Sequence, residues 1–185
     1  MNGGSGMDTL NAIVWLFPVV FMLHEFEEII VTKSWQKRFQ GKRETLKSKG
    51  PFSDFISAES FSCAVAEEFL IISVVTLISY LTNNYLLWFG LYFACILHFV
   101  LHLAMSLFFR NYVPGVITAV LLSPVGAYSL HKGVALMQVS ITELVVYAII
   151  GTVLLLLNLM LLHKLMKPFE KWVQRLATTP SNKIS

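Results

Sequence analysis

The sequence predicts an all-α fold: a polytopic membrane helical bundle of five transmembrane helices, ending in a short amphipathic helix on the cytoplasmic surface. Three observations lead there. Of the 185 residues, 56% are hydrophobic and 14% charged, and the mean hydropathy is +0.67, a balance foreign to soluble domains. The apolar residues gather into five stretches near the ~20 residues that a helix needs to cross the hydrocarbon layer. The 14 Lys and Arg segregate. Seven lie between Lys33 and Lys49, Arg110 follows the third stretch, and Lys164, Lys167, Lys171, Arg175 and Lys183 follow the fifth. With five crossings these share one side and only Lys132 stands on the other. The positive-inside rule then puts the N-terminus outside and the C-terminus in the cytoplasm.

The stretches are residues 8–32, 57–82, 85–109, 113–130 and 140–163. The first opens at Asp8, a suitable N-cap, and Pro18 predicts a kink by removing the bond to the Val14 carbonyl. It is too long and too acidic at its far end for a cleaved signal peptide. Residues 1–6 read as an appended remnant ahead of a natural start at Met7. Residues 41–52 form a polar, basic loop closed by Gly50-Pro51, a turn signal. Asn83-Asn84 makes the second and third stretches an antiparallel hairpin. Residues 111–115 turn into the fourth, with Pro114 near its first turn. Ser123-Pro124 predicts a break or kink there. Ser140 and Glu143 have capping-box spacing at the start of the fifth. Leu165, Phe169, Trp172, Val173 and Leu176 then share one face, as in an interfacial helix. Residues 7–177 make one transmembrane domain, and 178–185 read as a disordered tail. The basic segments suit an anionic membrane surface, and none suggests nucleic-acid binding. Cys63 and Cys95 read as buried apolar side chains without a disulfide.

The chemistry lies in ionisable groups at bilayer depth. His24, Glu25, Glu27, Glu28, Glu67, Glu68, His98 and His102 all fall inside apolar stretches. A charge there costs ~3 kcal/mol or more, so such groups mark a functional site by default. At 1.5 Å per residue from the cytoplasmic boundary, His24, Glu67, Glu68 and His102 come out at ~12–13 Å, Glu28 at ~8 Å and His98 at ~18 Å. Three helices thus place their polar groups in one layer. On a helical wheel Glu27 and Glu28 lie at about −60° and +40° from His24, with Glu25 at the edge near +100°. His98 and His102 stack at i and i+4. Glu67 and Glu68 diverge by about 100°, so they divide between ligand and supporting roles. Imidazole plus carboxylate is the donor set for iron, manganese or zinc. Carboxylate-bridged two-metal sites in bundles draw on such residues, although their usual order is Glu-x-x-His rather than His-x-x-Glu. The expected cofactor is therefore a divalent metal, with one or two ions, and the expected ligands are His24, Glu27, Glu28, Glu67, Glu68, His98 and His102. A proton-sharing network is the competing account. Glu25, or whichever of Glu67 and Glu68 is not a ligand, is the candidate general base, and Tyr112 the candidate proton donor or gate. His131 and His163 read as interfacial.

His24-Glu25-Phe26-Glu27-Glu28 resembles the signature of the HXXEE-domain family of membrane proteins. That family also carries a further histidine and a Tyr-x-Pro-Gly motif, matched here by Tyr112-Val113-Pro114-Gly115. The resemblance implies roles for His24, Glu27, Glu28, Tyr112, Pro114, Gly115 and one of His98 or His102, but no reaction. The function expected is a membrane-embedded metalloenzyme of oxidative or hydrolytic type, acting on a lipid or other apolar substrate. Its partners are the bilayer and that substrate, and an oligomer is compatible with the sequence. The alternatives are a metal- or proton-coupled carrier using the same residues, and a scaffold whose acids bind a partner helix.

Overall fold

A computed structural model describes residues 3–46 and 57–178, with side chains for 6–38 and 57–175. The described residues form five helices: α1 (Gly3–Leu46), α2 (Ala58–Thr82), α3 (Leu86–Phe109), α4 (Val116–Met137) and α5 (Ile141–Thr178). Among the described residues there is no strand. Four helices, α1, α2, α3 and α5, are long and apolar enough to cross a membrane. α4 is not one of them: it carries Ser123, Pro124, Ser129, His131 and Lys132 within 22 residues. Large apolar side chains lie exposed along α2, α3 and α5, as lipid-facing helices require.

The ends of the helices follow local chemistry. Ser57 caps α2 by accepting from the Ser60 N–H at 3.2 Å. Asn83 ends α2 in the left-handed region, φ 54°, and the Asn84 side chain accepts from the Leu86 N–H at 3.3 Å. Ser140 and Glu143 form the reciprocal box at the start of α5. Glu143 accepts from the Ser140 N–H at 2.9 Å, and its own N–H donates to Ser140 Oγ at 3.2 Å.

Three expected boundaries are corrected. Asp8 does not cap the first helix, because α1 already runs from Gly3. The loop placed at residues 41–52 begins later, because α1 stays helical to Leu46. The segment after residue 32 is polar but rich in Lys, Arg, Gln and Glu, which are good helix formers, and Gly41 alone does not stop it. The Gly50-Pro51 turn lies outside the described residues. The separate C-terminal amphipathic helix is absent as a distinct element. α5 runs through Pro168 to Thr178 in one piece, so its basic end is a continuation of the span. The tail beyond Thr178 is likewise outside the described residues. α4 also continues unbroken past Pro124, with Ser123 Oγ donating to the Ala119 carbonyl at 2.6 Å. Both cysteines are free, and Cys63 is exposed rather than buried.

The packing explains where a site can form. α3 lies against α4 and α5, and α1 against α2 and α4. Where α3 meets α5 the backbones nearly touch: a Cβ added to Gly90 would stand 2.1 Å from the Tyr147 carbonyl oxygen, and one on Gly151 2.1 Å from the Gly90 carbonyl carbon. Only glycine permits that approach. α1 and α3, by contrast, make few close backbone approaches, and large side chains fill the gap between them. Phe17 stacks on Tyr92 with centroids 4.7 Å apart, and Trp88 lies 5.4 Å from Tyr92. Further along the same gap come three histidines.

Candidate metal centre

His24 and Glu28 are one turn apart on α1, and His98 and His102 one turn apart on α3, so each pair presents its side chains to the other helix. One ligand atom from each of the four lies within 4.8 Å of every other. Glu28 Oε1 is the hub, 2.8 Å from His102 Nε2, 3.3 Å from His24 Nε2 and 3.9 Å from His98 Nε2. His98 and His102 bring their Nε2 atoms to 2.9 Å. The rings stand edge-on, with interplanar angles of 87°, 72° and 82° for the three pairs. Phe99 forms an apolar wall 4.5 Å from the His24 ring. His24 is fully buried, while His98 keeps 27% of its side chain exposed and forms the open edge.

These atoms fit a metal. Ligands about 2.1 Å from a tetrahedral ion stand ~3.4 Å from one another, close to the separations found. Within the cluster, His24 Nε2, Glu28 Oε1 and His102 Nδ1 are buried without a well-aligned hydrogen bond. Unsatisfied buried polar atoms are costly, and a cation at the hub would relieve two of the three. Three imidazoles with one carboxylate suit zinc, iron or manganese.

The remaining predicted residues have other surroundings. Glu27 points to α4: its Oε1 accepts from the Tyr112 hydroxyl at 2.6 Å and the Ile117 N–H at 3.3 Å, and its Oε2 from the Thr118 N–H at 2.7 Å and hydroxyl at 2.6 Å. It thus caps the α4 N-terminus, where free N–H groups and the helix dipole favour an anion. Glu67 and Glu68 both turn to Asn158 of α5, at 3.1 and 3.5 Å. Glu25 is buried, 5% exposed, and lies outside the four-residue cluster. Tyr112 has its hydroxyl committed to Glu27, so it is an anchor rather than a free proton donor. Partial burial, and then the bond to Glu27, raises its pKa above the usual tyrosine value.

The loop joining α3 to α4 lies over the cluster. Trp35 Nε1 donates to the Tyr112 carbonyl at 2.8 Å, tying the loop to α1. Gly115 caps α4 at φ 82°. A Cβ there would stand 2.6 Å from Glu28 Oε1, 2.8 Å from His24 Cε1 and 3.0 Å from His102 Nδ1. Glycine is required twice, for its conformation and for the space. Thr118 and Asn158 gave no signal in the sequence, since a lone Thr or Asn in an apolar helix is common.

A family profile described as "Protein of unknown function with HXXEE motif" matches residues 15–129. No curated protein and no solved structure matches the chain.

Proposed function

The chain belongs to the HXXEE family, and from the geometry of its motif we propose that it is a membrane-embedded, metal-dependent enzyme. His24, Glu28, His98 and His102 hold one divalent transition metal. The observation that carries this reading is the closure of three imidazoles around one carboxylate oxygen, with unpartnered buried atoms at the centre. A single ion is favoured over two because Glu27 is spent on α4 and Glu67 and Glu68 on Asn158.

When bound, the metal supplies Lewis acidity, an activated water or one-electron chemistry. The protein supplies the rest. The loop at Gly115 shields one side of the site. His98, flanked on α3 by the exposed Leu97 and Leu101, leaves the other side open toward lipid. A lipid or other apolar molecule is therefore the substrate class. Glu25, buried on α1 next to the ligand His24 in sequence, is the group that takes or gives a proton. α4 is the fifth crossing, since it is wedged between α1 and α3, and the basic residues then place the C-terminus in the cytoplasm.

Metal analysis of detergent-purified protein tests this. Wild type should carry about one equivalent of metal per chain, as a site with one set of ligands predicts. Glu28→Ala and His102→Ala should carry none. A wild type that stays metal-free after reloading overturns the reading. Metal flux into liposomes would mark the carrier instead, and a co-purifying long-chain molecule the enzyme.

A further inference from the structure

Thr118 stands between α1 and the start of α4, and its hydroxyl has one proton to share among three neighbours. Glu27 Oε2 is 2.6 Å away, His24 Nδ1 3.0 Å and the Gly115 carbonyl oxygen 3.2 Å. The proton goes to the carboxylate, which is both the nearest acceptor and the charged one. Glu27 has none to return, because each of its oxygens already accepts two donors. The Thr118 oxygen can then only accept from His24. The ring proton of His24 must sit on Nδ1. In a neutral imidazole that leaves Nε2 with a lone pair, and Nε2 is the atom that faces Glu28 Oε1 at 3.3 Å.

We infer that Thr118 and Glu27 are positioning residues: they fix His24 in its Nδ1–H form and so aim the Nε2 lone pair into the cluster. This rests on the reading of the cluster as a cation site. A lone pair set 3.3 Å from a carboxylate oxygen is repulsive alone and becomes favourable when a cation lies between them. Metal-bound histidines commonly donate their second N–H to a carboxylate, which fixes the tautomer and strengthens the ligand. Here a threonine hydroxyl relays that effect from Glu27. The relay has a direction. Without the Glu27 carboxylate, the Thr118 proton divides between the Gly115 carbonyl and Nδ1, and the Nδ1–H form is no longer enforced. Wherever the hydroxyl donates to Nδ1, the ring proton sits on Nε2 and blocks the lone pair that a metal needs.

Two measurements on the full chain in detergent test the inference. Nitrogen-15 NMR of histidine-labelled, metal-free protein reads which ring nitrogen of His24 bears the proton, with the signal assigned by its loss in His24→Ala. Competition with a chromophoric chelator reads zinc affinity. Wild type and Thr118→Ser should show the Nδ1–H form and bind zinc alike. Thr118→Val, of nearly the same shape, should lose the single-tautomer signature and bind zinc 10–100-fold more weakly. Glu27→Gln should shift His24 toward Nε2–H. An unchanged His24 signal and unchanged affinity in Thr118→Val overturn the inference while leaving the metal site intact. A wild type that shows the Nδ1–H signal, loses it in Thr118→Val and yet binds no zinc upholds the relay and overturns the metal reading.

Discussion

The gap between α1 and α3 buries polar atoms in two layers and treats them oppositely. In the aromatic layer Trp88 donates to the Val14 carbonyl at 3.0 Å, and the Tyr92 hydroxyl meets Ser129 Oγ at 2.7 Å. Each polar handle is answered from within the protein, so that layer is complete as it stands. In the histidine layer, His24 Nε2, Glu28 Oε1 and His102 Nδ1 have no aligned partner. His24 in the one layer is buried as deeply as Trp88 in the other, each 0% exposed. What separates scaffold from site is therefore hydrogen-bond closure, not depth.

The sharpest way to break the scaffold is Gly90→Val. Its new Cβ meets the Tyr147 carbonyl at 2.1 Å, so α3 and α5 must part. The expected loss is about 3 kcal/mol or more, read from unfolding in mixed micelles, with α3–α5 rather than the histidines at fault. Gly115→Ala should instead strike the site. The φ of 82° and the 2.6 Å approach to Glu28 Oε1 predict a fall in metal affinity of about 100-fold, or ~2.7 kcal/mol, measured by chelator competition.

Glu28→Leu against Trp88→Phe tests the comparison itself. Removing the Glu28 carboxylate should abolish metal binding yet change the stability of the metal-free protein little, because its Oε1 makes no aligned hydrogen bond to lose. Removing the indole donor should destabilise it by about 1 kcal/mol. Equal destabilisation by both would erase the distinction between the layers. The smallest effect concerns Tyr112, whose hydroxyl holds its proton beyond the usual range. The unfolded chain releases this proton near pH ~10. The contribution is therefore complete below that pH and is lost as pH rises toward the folded value. Stability measured from neutral to alkaline pH should fall less steeply in Tyr112→Phe than in wild type.

Much of this was legible in the residues. The i, i+4 pairs His24/Glu28 and His98/His102, with His24 and His102 at matching depth in separate apolar stretches, foretold a shared layer. Asn83-Asn84 and Ser140/Glu143 foretold turns and caps. The partners of Glu27 were not legible, because a helical wheel gives direction but not what stands in that direction. Its angle from His24 suits a ligand equally well as a partner for the end of α4. Glu67 and Glu68 were drawn in by depth alone, and depth does not exclude a third party such as Asn158. The α3–α5 crossing was unreadable, since Gly90 and Gly151 lie 61 positions apart in the chain and neither is unusual by itself. The end of α1 was set at Gly41 because a glycine ahead of a basic run was taken to end the helix, and α5 was split because a change of polarity was, when it ends only a membrane-embedded stretch.

The neighbouring acids of the motif have parted company. Glu27 is consumed in seating α4 and its loop, whereas Glu28 confronts the three imidazoles. A double substitution across the doublet would therefore report two failures under one phenotype, a lid that no longer seats and a charge that no longer exists. Aspartate scanning, one acid at a time, separates them: a shortened side chain at 27 should loosen the architecture first, and at 28 the chemistry first.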